Sequence, residues 1–306
     1  YRRGRAVYES FWGLQQKPFE NTPDPKYIYY SGKHKEAIAR LLYAVREHKG
    51  AALLTGEYGS GKTLLSRVLW HELQQEQVYQ SAFILNPRLS GLELLQEIFR
   101  QFGGTDIPAN KIDLFHALHN IFYTNFKGSK HNVVVVDEAQ AISSSDIFEE
   151  LRLLLNFQLD NAFLLTIILM GQPELRPKIA QLPQFAQRMS IRYHLNALNE
   201  TETKEYIEHR LAVAGATRQI FSADACEGIY FFSAGVPRRI NNICDLALLI
   251  GYGQNDPVID KNIIVKVSDD LEPPSAAGQK NIQTSSLMQE HVPQTDVPIA
   301  DKPSGV

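Results

Sequence analysis

The run TGEYGSGKT at residues 55–63 places Gly56 and Gly61 five positions apart, followed at once by Lys62 and Thr63. This is the G-x-x-x-x-G-K-[ST] spacing of a phosphate-gripping loop. Its glycines let main-chain N–H groups turn inward on phosphate oxygens, the lysine reaches the β- and γ-phosphates, and the hydroxyl ligates Mg²⁺. The nucleotide-binding stretch is therefore expected to comprise Gly56, Glu57, Tyr58, Gly59, Ser60, Gly61, Lys62, Thr63 and Leu64. Further along, NVVVVDEAQ ends an apolar run in Asp137 and Glu138. An aspartate there holds Mg²⁺, largely through water. A second carboxylate directly after it is placed to polarise an attacking water as general base. Thr63 and Asp137 are thus the expected metal pair, and Glu138 argues for hydrolysis of ATP over transfer to an acceptor. Guanine-reading motifs of the N-K-x-D type are expected to be absent.

Three further positions could feel the γ-phosphate. The apolar run AFLLTIILM (162–170) leads into Gly171-Gln172-Pro173, and a polar side chain at that strand end, Gln172, could reach the γ-phosphate or the lytic water. Arg188, in QLPQFAQRMSIRYHL, falls where a helix ends before a strand. It is the candidate arginine finger, whose fork would stabilise transition-state charge in a neighbouring subunit. Arg192 is the runner-up, although alternation along SIRYHL turns it outward. In GVPRRINNICDLALL, Pro237 opens a helix with two arginines in its first turn, against the usual preference for acids there. That placement points to an anionic partner, with Arg238 the better-placed contact and Arg239 the alternate.

These residues need a scaffold. Short Val/Ile/Leu-rich runs at 51–55, 81–86, 132–137, 162–170 and 190–195, separated by helical stretches, predict a parallel sheet buried on both faces. A strand between the two phosphate-site motifs suits the additional-strand division of P-loop ATPases. From about Asn199 strands give way to helices expected at 201–214, 222–233, 236–251 and 260–270, with Asp260 as an N-cap. The predicted organisation is an approach segment with a first helix (1–48), an α/β nucleotide-binding core (49–198), a helical lid (199–271) and a disordered Ser-, Gln- and Pro-rich tail (272–306). The chain has 306 residues, 44% hydrophobic and 21% charged, with net charge −3, so no global basic field announces nucleic acid. Apolar runs fall well short of the ~20 residues of a membrane span, and the basic start YRRGRAVYESF lacks the apolar stretch of a signal peptide. Cys226 and Cys244 lie in apolar helical surroundings and read as buried reduced thiols, with a cytoplasmic location expected.

Together, the phosphate loop (Walker A), the Asp137-Glu138 strand end (Walker B), Gln172, Arg188 and Arg238 resemble the AAA+ ATPases, a P-loop fold with a five-stranded parallel sheet and a small all-helical lid. YESFWGLQQKPFENTPDPKYIYYSGKHKEAIARLLYAV, MGQPEL and QRMSIRYHL further resemble ATPases of the ExeA/GspA family, which serve type II secretion and MSHA pilus systems. That resemblance implies ATP and Mg²⁺ as cofactors and a homo-oligomer completed by a trans arginine. It also implies an envelope secretion or pilus partner, and a place in the cytoplasm or at the periphery of the inner membrane. It would set Pro23, Tyr29 and Tyr30 near the adenine. Fuller members continue into a transmembrane helix and a peptidoglycan-binding domain, and nothing after residue 271 resembles either. TniB/TnsC-type regulators of transposition share the core and bind DNA; that alternative lacks a DNA-reading module after the lid and is not favoured.

Overall fold

The structure, a computed structural model, describes residues 8–22, 24–159 and 162–271. Five parallel strands form the central sheet in the order β2-β3-β6-β1-β7. They are β1 (Ala51–Gly56), β2 (Tyr79–Ile84), β3 (His131–Val136), β6 (Leu165–Gly171) and β7 (Met189–Leu195). Every residue of β1, β3 and β6 is buried, the burial that continuous apolar runs dictate when helices cover both faces. One face packs on α2 (Gly32–Arg46) and α3 (Lys62–Gln75). The other packs on α4 (Gly91–Gln101), α5 (Lys111–Lys127), α6 (Ser145–Leu154) and the short α7 (Leu175–Ala180) and α8 (Pro183–Arg188).

The expected fourth strand is interrupted. Ala162–Phe163 (β5) pairs antiparallel with Gln158–Leu159 (β4). Leu164 N–H donates to Phe157 O (3.0 Å), which detaches this end from the sheet before β6 begins. The second strand starts two residues early and stops at Ile84, where its pairing with β3 ends at Val136. The chain also contains the N-K-x-D form that was expected to be absent, as Asn110-Lys111-Ile112-Asp113. Here it is the cap and first turn of α5. Asp113 N–H donates to Asn110 Oδ1 (2.9 Å) and Asn110 Nδ2 to Asp113 Oδ2 (2.6 Å), so both polar side chains serve the helix start.

After β7 come α9 (Glu200–Val213), α10 (Ala223–Ser233), α11 (Pro237–Gln254) and α12 (Lys261–Leu271). Asn199 and Glu202 close a capping box on α9, and Asp260 Oδ1 accepts from Ile263 N–H (3.0 Å), so the expected cap is present. The N-terminal segment packs against the lid. Tyr8, Leu14, Phe19, Tyr27 and Trp12, the last on α1 (Glu9–Trp12), sit inside the apolar core of these four helices. Trp12 Nε1 donates to Leu248 O (3.0 Å), and Gln15 N–H to Ala214 O (2.8 Å). The segment is a strap over the lid. Pro23 and the tail from 272 lie outside the described residues.

Candidate functional site

The loop between β1 and α3 folds as its glycines require. Gly59 (φ +80°) and Gly61 (φ +100°) are in the left-handed region, which glycine enters at little cost. Space demands glycine as well. A Cβ on Gly59 would stand 2.6 Å from Arg238 Cβ, and one on Gly56 2.8 Å from Leu195 O. Lys62 is 4% exposed, and its ammonium donates to Gly56 O (2.8 Å) and Glu57 O (2.9 Å). Burial pulls its pKa down, while the Glu138 and Asp137 carboxylates oppose that. Ser60 Oγ is buried and without a hydrogen-bond partner. Beneath the loop, His34 on α2 bonds Ser60 O through Nε2 (3.2 Å) and Ser31 Oγ through Nδ1 (2.7 Å). The carbonyl can only accept, so Nε2 carries a proton, and burial lowers the pKa of the ring. Sequence reasoning had no signal for this buttress.

Asp137 lies one residue past β3, fixed by its N–H to Ile84 O (2.9 Å). Its carboxylate hydrogen-bonds Thr63, so the expected metal pair is in contact. Burial raises the Asp137 pKa, and the charge of Glu138 adds to the rise. A buried carboxylate touching a hydroxyl at the head of a phosphate loop is the oxygen donor set that Mg²⁺ takes. The cradle, the buried lysine and the unpartnered Ser60 hydroxyl fit a triphosphate. Glu138 adopts φ +52° and starts a 3₁₀ turn at Ala139–Ala141. Gln140 Nε2 donates to Glu138 Oε2 (2.5 Å), and Gln140 Oε1 accepts from Gln172 N–H (2.9 Å). Gln172 is thus tied to the group through its main chain.

A cleft of about 430 Å³ runs from this loop to the lid. Its walls bring together Tyr58, Gly59, Gly61, Lys62, Thr63, Leu64, Glu138 and Arg238 with Asn21, Tyr27, Tyr29, Tyr206, Arg210 and Asn241. Arg238 N–H donates to Gly59 O (3.3 Å), and its guanidinium lies over the Tyr58 ring at 4.9 Å. Arg210, 5% exposed, pins the strap. It donates to Pro18 O (2.6 Å), Glu20 O (2.9 Å), Tyr206 OH (2.7 Å) and Asn241 Oδ1 (3.1 Å). Neither Arg210 nor Asn241 was anticipated. Of the expected aromatics, Tyr29 reaches this cleft, with Tyr27 beside it. Tyr30 instead lines a separate apolar cleft with Trp70, Phe83 and Leu85, on the outer side of Thr63, Asp137 and Glu138.

Arg188 is not among these walls. Met189 pairs with Ala51 at the start of β1, whereas the phosphate loop follows Gly56 at its end. Five strand steps of about 3.3 Å put Arg188 roughly 17 Å from its own loop. It is held there by Gln158 Oε1 (3.2 Å) and the Phe163 ring (5.7 Å). Arg192 is exposed and donates to Ala186 O (2.5 Å).

The sheet order, phosphate loop and helical lid define a P-loop protein, and the chain belongs to the AAA+ ATPases. Residues 45–179 match the family described as an AAA domain. Over 254 residues the chain is 40% identical to general secretion pathway protein A of Aeromonas hydrophila. The match takes in 81% of this chain and 45% of that protein, so the chain spans less than half the length of that relative. Solved structures with the same fold include Drosophila ORC bound to DNA (TM-score 0.65, 17% identity, 92% of this chain and 69% of that one). Cdc6p from Pyrobaculum aerophilum is another (TM-score 0.62, 15% identity, 83% and 71%). The ORC2 protein of Aeropyrum pernix is a third (TM-score 0.59, 18% identity, 85% and 75%). Among the described residues no helix is long and apolar enough to cross a membrane.

Proposed function

We propose that this chain binds Mg-ATP between core and lid, hydrolyses it, and couples turnover to assembly or remodelling of an envelope secretion or pilus machine. The observation that carries the hydrolytic reading is the convergence of Lys62, Thr63 and Glu138 on one cleft wall, with the Asp137 carboxylate hydrogen-bonded to Thr63 behind it. Lys62 and the loop N–H groups bind the phosphates, and Thr63 and Asp137 would hold Mg²⁺. The metal, when bound, neutralises charge on the β- and γ-phosphate oxygens. Glu138 takes the proton of the attacking water. Arg238 reports the γ-phosphate to the lid, and Gln172 lies at the strand end from which it contributes to the same site. Because Arg188 stands at the opposite end of the sheet from its own loop, it serves the site of a second copy. The apolar cleft with Trp70 (52% exposed) and Leu85 (65%) beside Asp137 and Glu138 is the surface that such a copy would cover.

The secretion role rests on the similarity to general secretion pathway protein A. Two measurements test the proposal. ATP hydrolysis by the wild type at high protein concentration should far exceed that of Glu138→Gln; equal rates refute a hydrolase. DNA binding should be weak at physiological salt. Tight binding that falls steeply with salt would overturn the secretion reading in favour of a DNA-directed one.

A further inference from the structure

We propose that Gln140 is a positioning residue that holds the Glu138 carboxylate from the end of strand β6, so that strand and base move together. The inference rests on the hydrolytic reading above and adds a residue to it. An N–H can only donate, so the bond from Gln172 N–H fixes the Gln140 amide oxygen toward β6. The amide nitrogen is left facing Glu138, and it donates to Oε2 at 2.5 Å. The bridge is built on a fixed base. Lys178 on α7 donates to Gln140 O (2.6 Å) and Ile142 O (2.8 Å), and Ala141 N–H bonds back to Glu138 O (2.8 Å). Glu138 itself is held at φ +52°, a conformation that a non-glycine residue keeps only when its surroundings impose it.

The strand end is shaped for the bridge. A Cβ on Gly171 would meet Gln140 Oε1 at 2.7 Å, Leu175 Cδ2 at 2.8 Å and Gln140 N at 3.2 Å. Gly171 has no positive φ, so the constraint there is space for the amide. A displacement of the Gly171–Gln172 main chain therefore reaches the Glu138 carboxylate through one side chain. Gln140 need not touch the nucleotide for this.

The test compares wild type, Glu138→Gln, Gln140→Met, Gly171→Ala and the Glu138→Gln/Gln140→Met double variant. Each is followed by steady-state ATP hydrolysis, binding of a fluorescent ATP analogue and thermal melting. Met keeps the length of Gln140 and loses both hydrogen bonds. Its kcat should fall about ten- to a hundredfold, the worth of a hydrogen bond to a charged group. KM and analogue affinity should stay within about twofold, since the interaction acts on the chemical step. Gly171→Ala, which crowds the amide, should do the same. The double variant should hydrolyse no more slowly than Glu138→Gln, because Gln140 acts through Glu138. A Gln140→Met kcat within about twofold of wild type overturns the proposal. So does a matching loss of nucleotide binding, or a double variant well below Glu138→Gln. Wild type no faster than Glu138→Gln refutes the hydrolytic reading itself, and the positioning role falls with it.

Discussion

Arg210→Met is the perturbation with the largest consequence that can be worked out from contacts. The guanidinium is buried and bonds two strap carbonyls, Pro18 O and Glu20 O, while Tyr206 and Asn241 also bond each other (2.8 Å). Met fills much of the volume but donates nothing. Tyr206 and Asn241 keep their mutual bond, so the orphaned acceptors are the two carbonyls. The Pro18 carbonyl is left buried and unsatisfied at about 1–3 kcal/mol, whereas exposed Glu20 can turn its carbonyl to water, so the loss is about 1–3 kcal/mol. In a domain of this size that corresponds to a melting temperature about 3–10 °C lower. Loss of the contact with the Tyr27 ring (4.8 Å) acts in the same direction. Because the strap lines the cleft through Asn21, Tyr27 and Tyr29, ATP affinity should fall along with stability. Arg210→Lys should be intermediate, since one ammonium cannot span both carbonyls. Urea denaturation and calorimetric ATP binding measure both quantities. A stability loss of Arg210→Met below about 1 kcal/mol, with ATP affinity unchanged, would refute the role of Arg210 as the pin of the strap.

Arg188→Ala should bind ATP normally and lose hydrolysis, and mixing it with Lys62→Ala should restore turnover at interfaces that pair an intact loop with an intact Arg188. Unchanged hydrolysis in Arg188→Ala removes it as the trans residue. His131 is buried beside His48, and burial, helped by the His48 charge, lowers its pKa from 6.5 to about 3. Its native pKa is depressed, so its contribution is whole above pH 6.5 and is lost as pH falls, because the unfolded chain takes up a proton that the native state refuses. Urea titrations should show the wild type losing about 2 kcal/mol more than His131→Gln between pH 7 and pH 5. Gly235→Ala should destabilise by more than about 2 kcal/mol, since its Cβ would stand 1.9 Å from Leu198 O at φ +70°; a neutral melting shift would contradict this.

Much of the scaffold is legible without coordinates because its signals are local. Buried strands announce themselves as unbroken apolar runs, and lid helices announce themselves by Asp260 and Pro237 at their starts. Where structure and local signal part, a local contact explains it. The run 162–170 is apolar but for Thr166, yet the Leu164 bond to Phe157 breaks it. The tetrapeptide at 110–113 has the composition of a base reader and works as a helix cap.

The sequence by itself determined the phosphate loop, the carboxylate pair at the end of β3 and the α/β-then-helical order. Each follows from residue types at fixed short spacing. Only the tertiary structure decided that the N-terminal segment straps the lid and that His34 props the loop. It alone decided that Gln140 ties Glu138 to β6, and that Arg188 faces away from its own site. The physical reason is separation along the chain. Arg210 and Pro18 meet across 192 residues, and Gln140 and Gln172 across 32. A hydrogen bond at such distance leaves no periodicity, cap or turn in either stretch, and exists only once the core has brought both ends together.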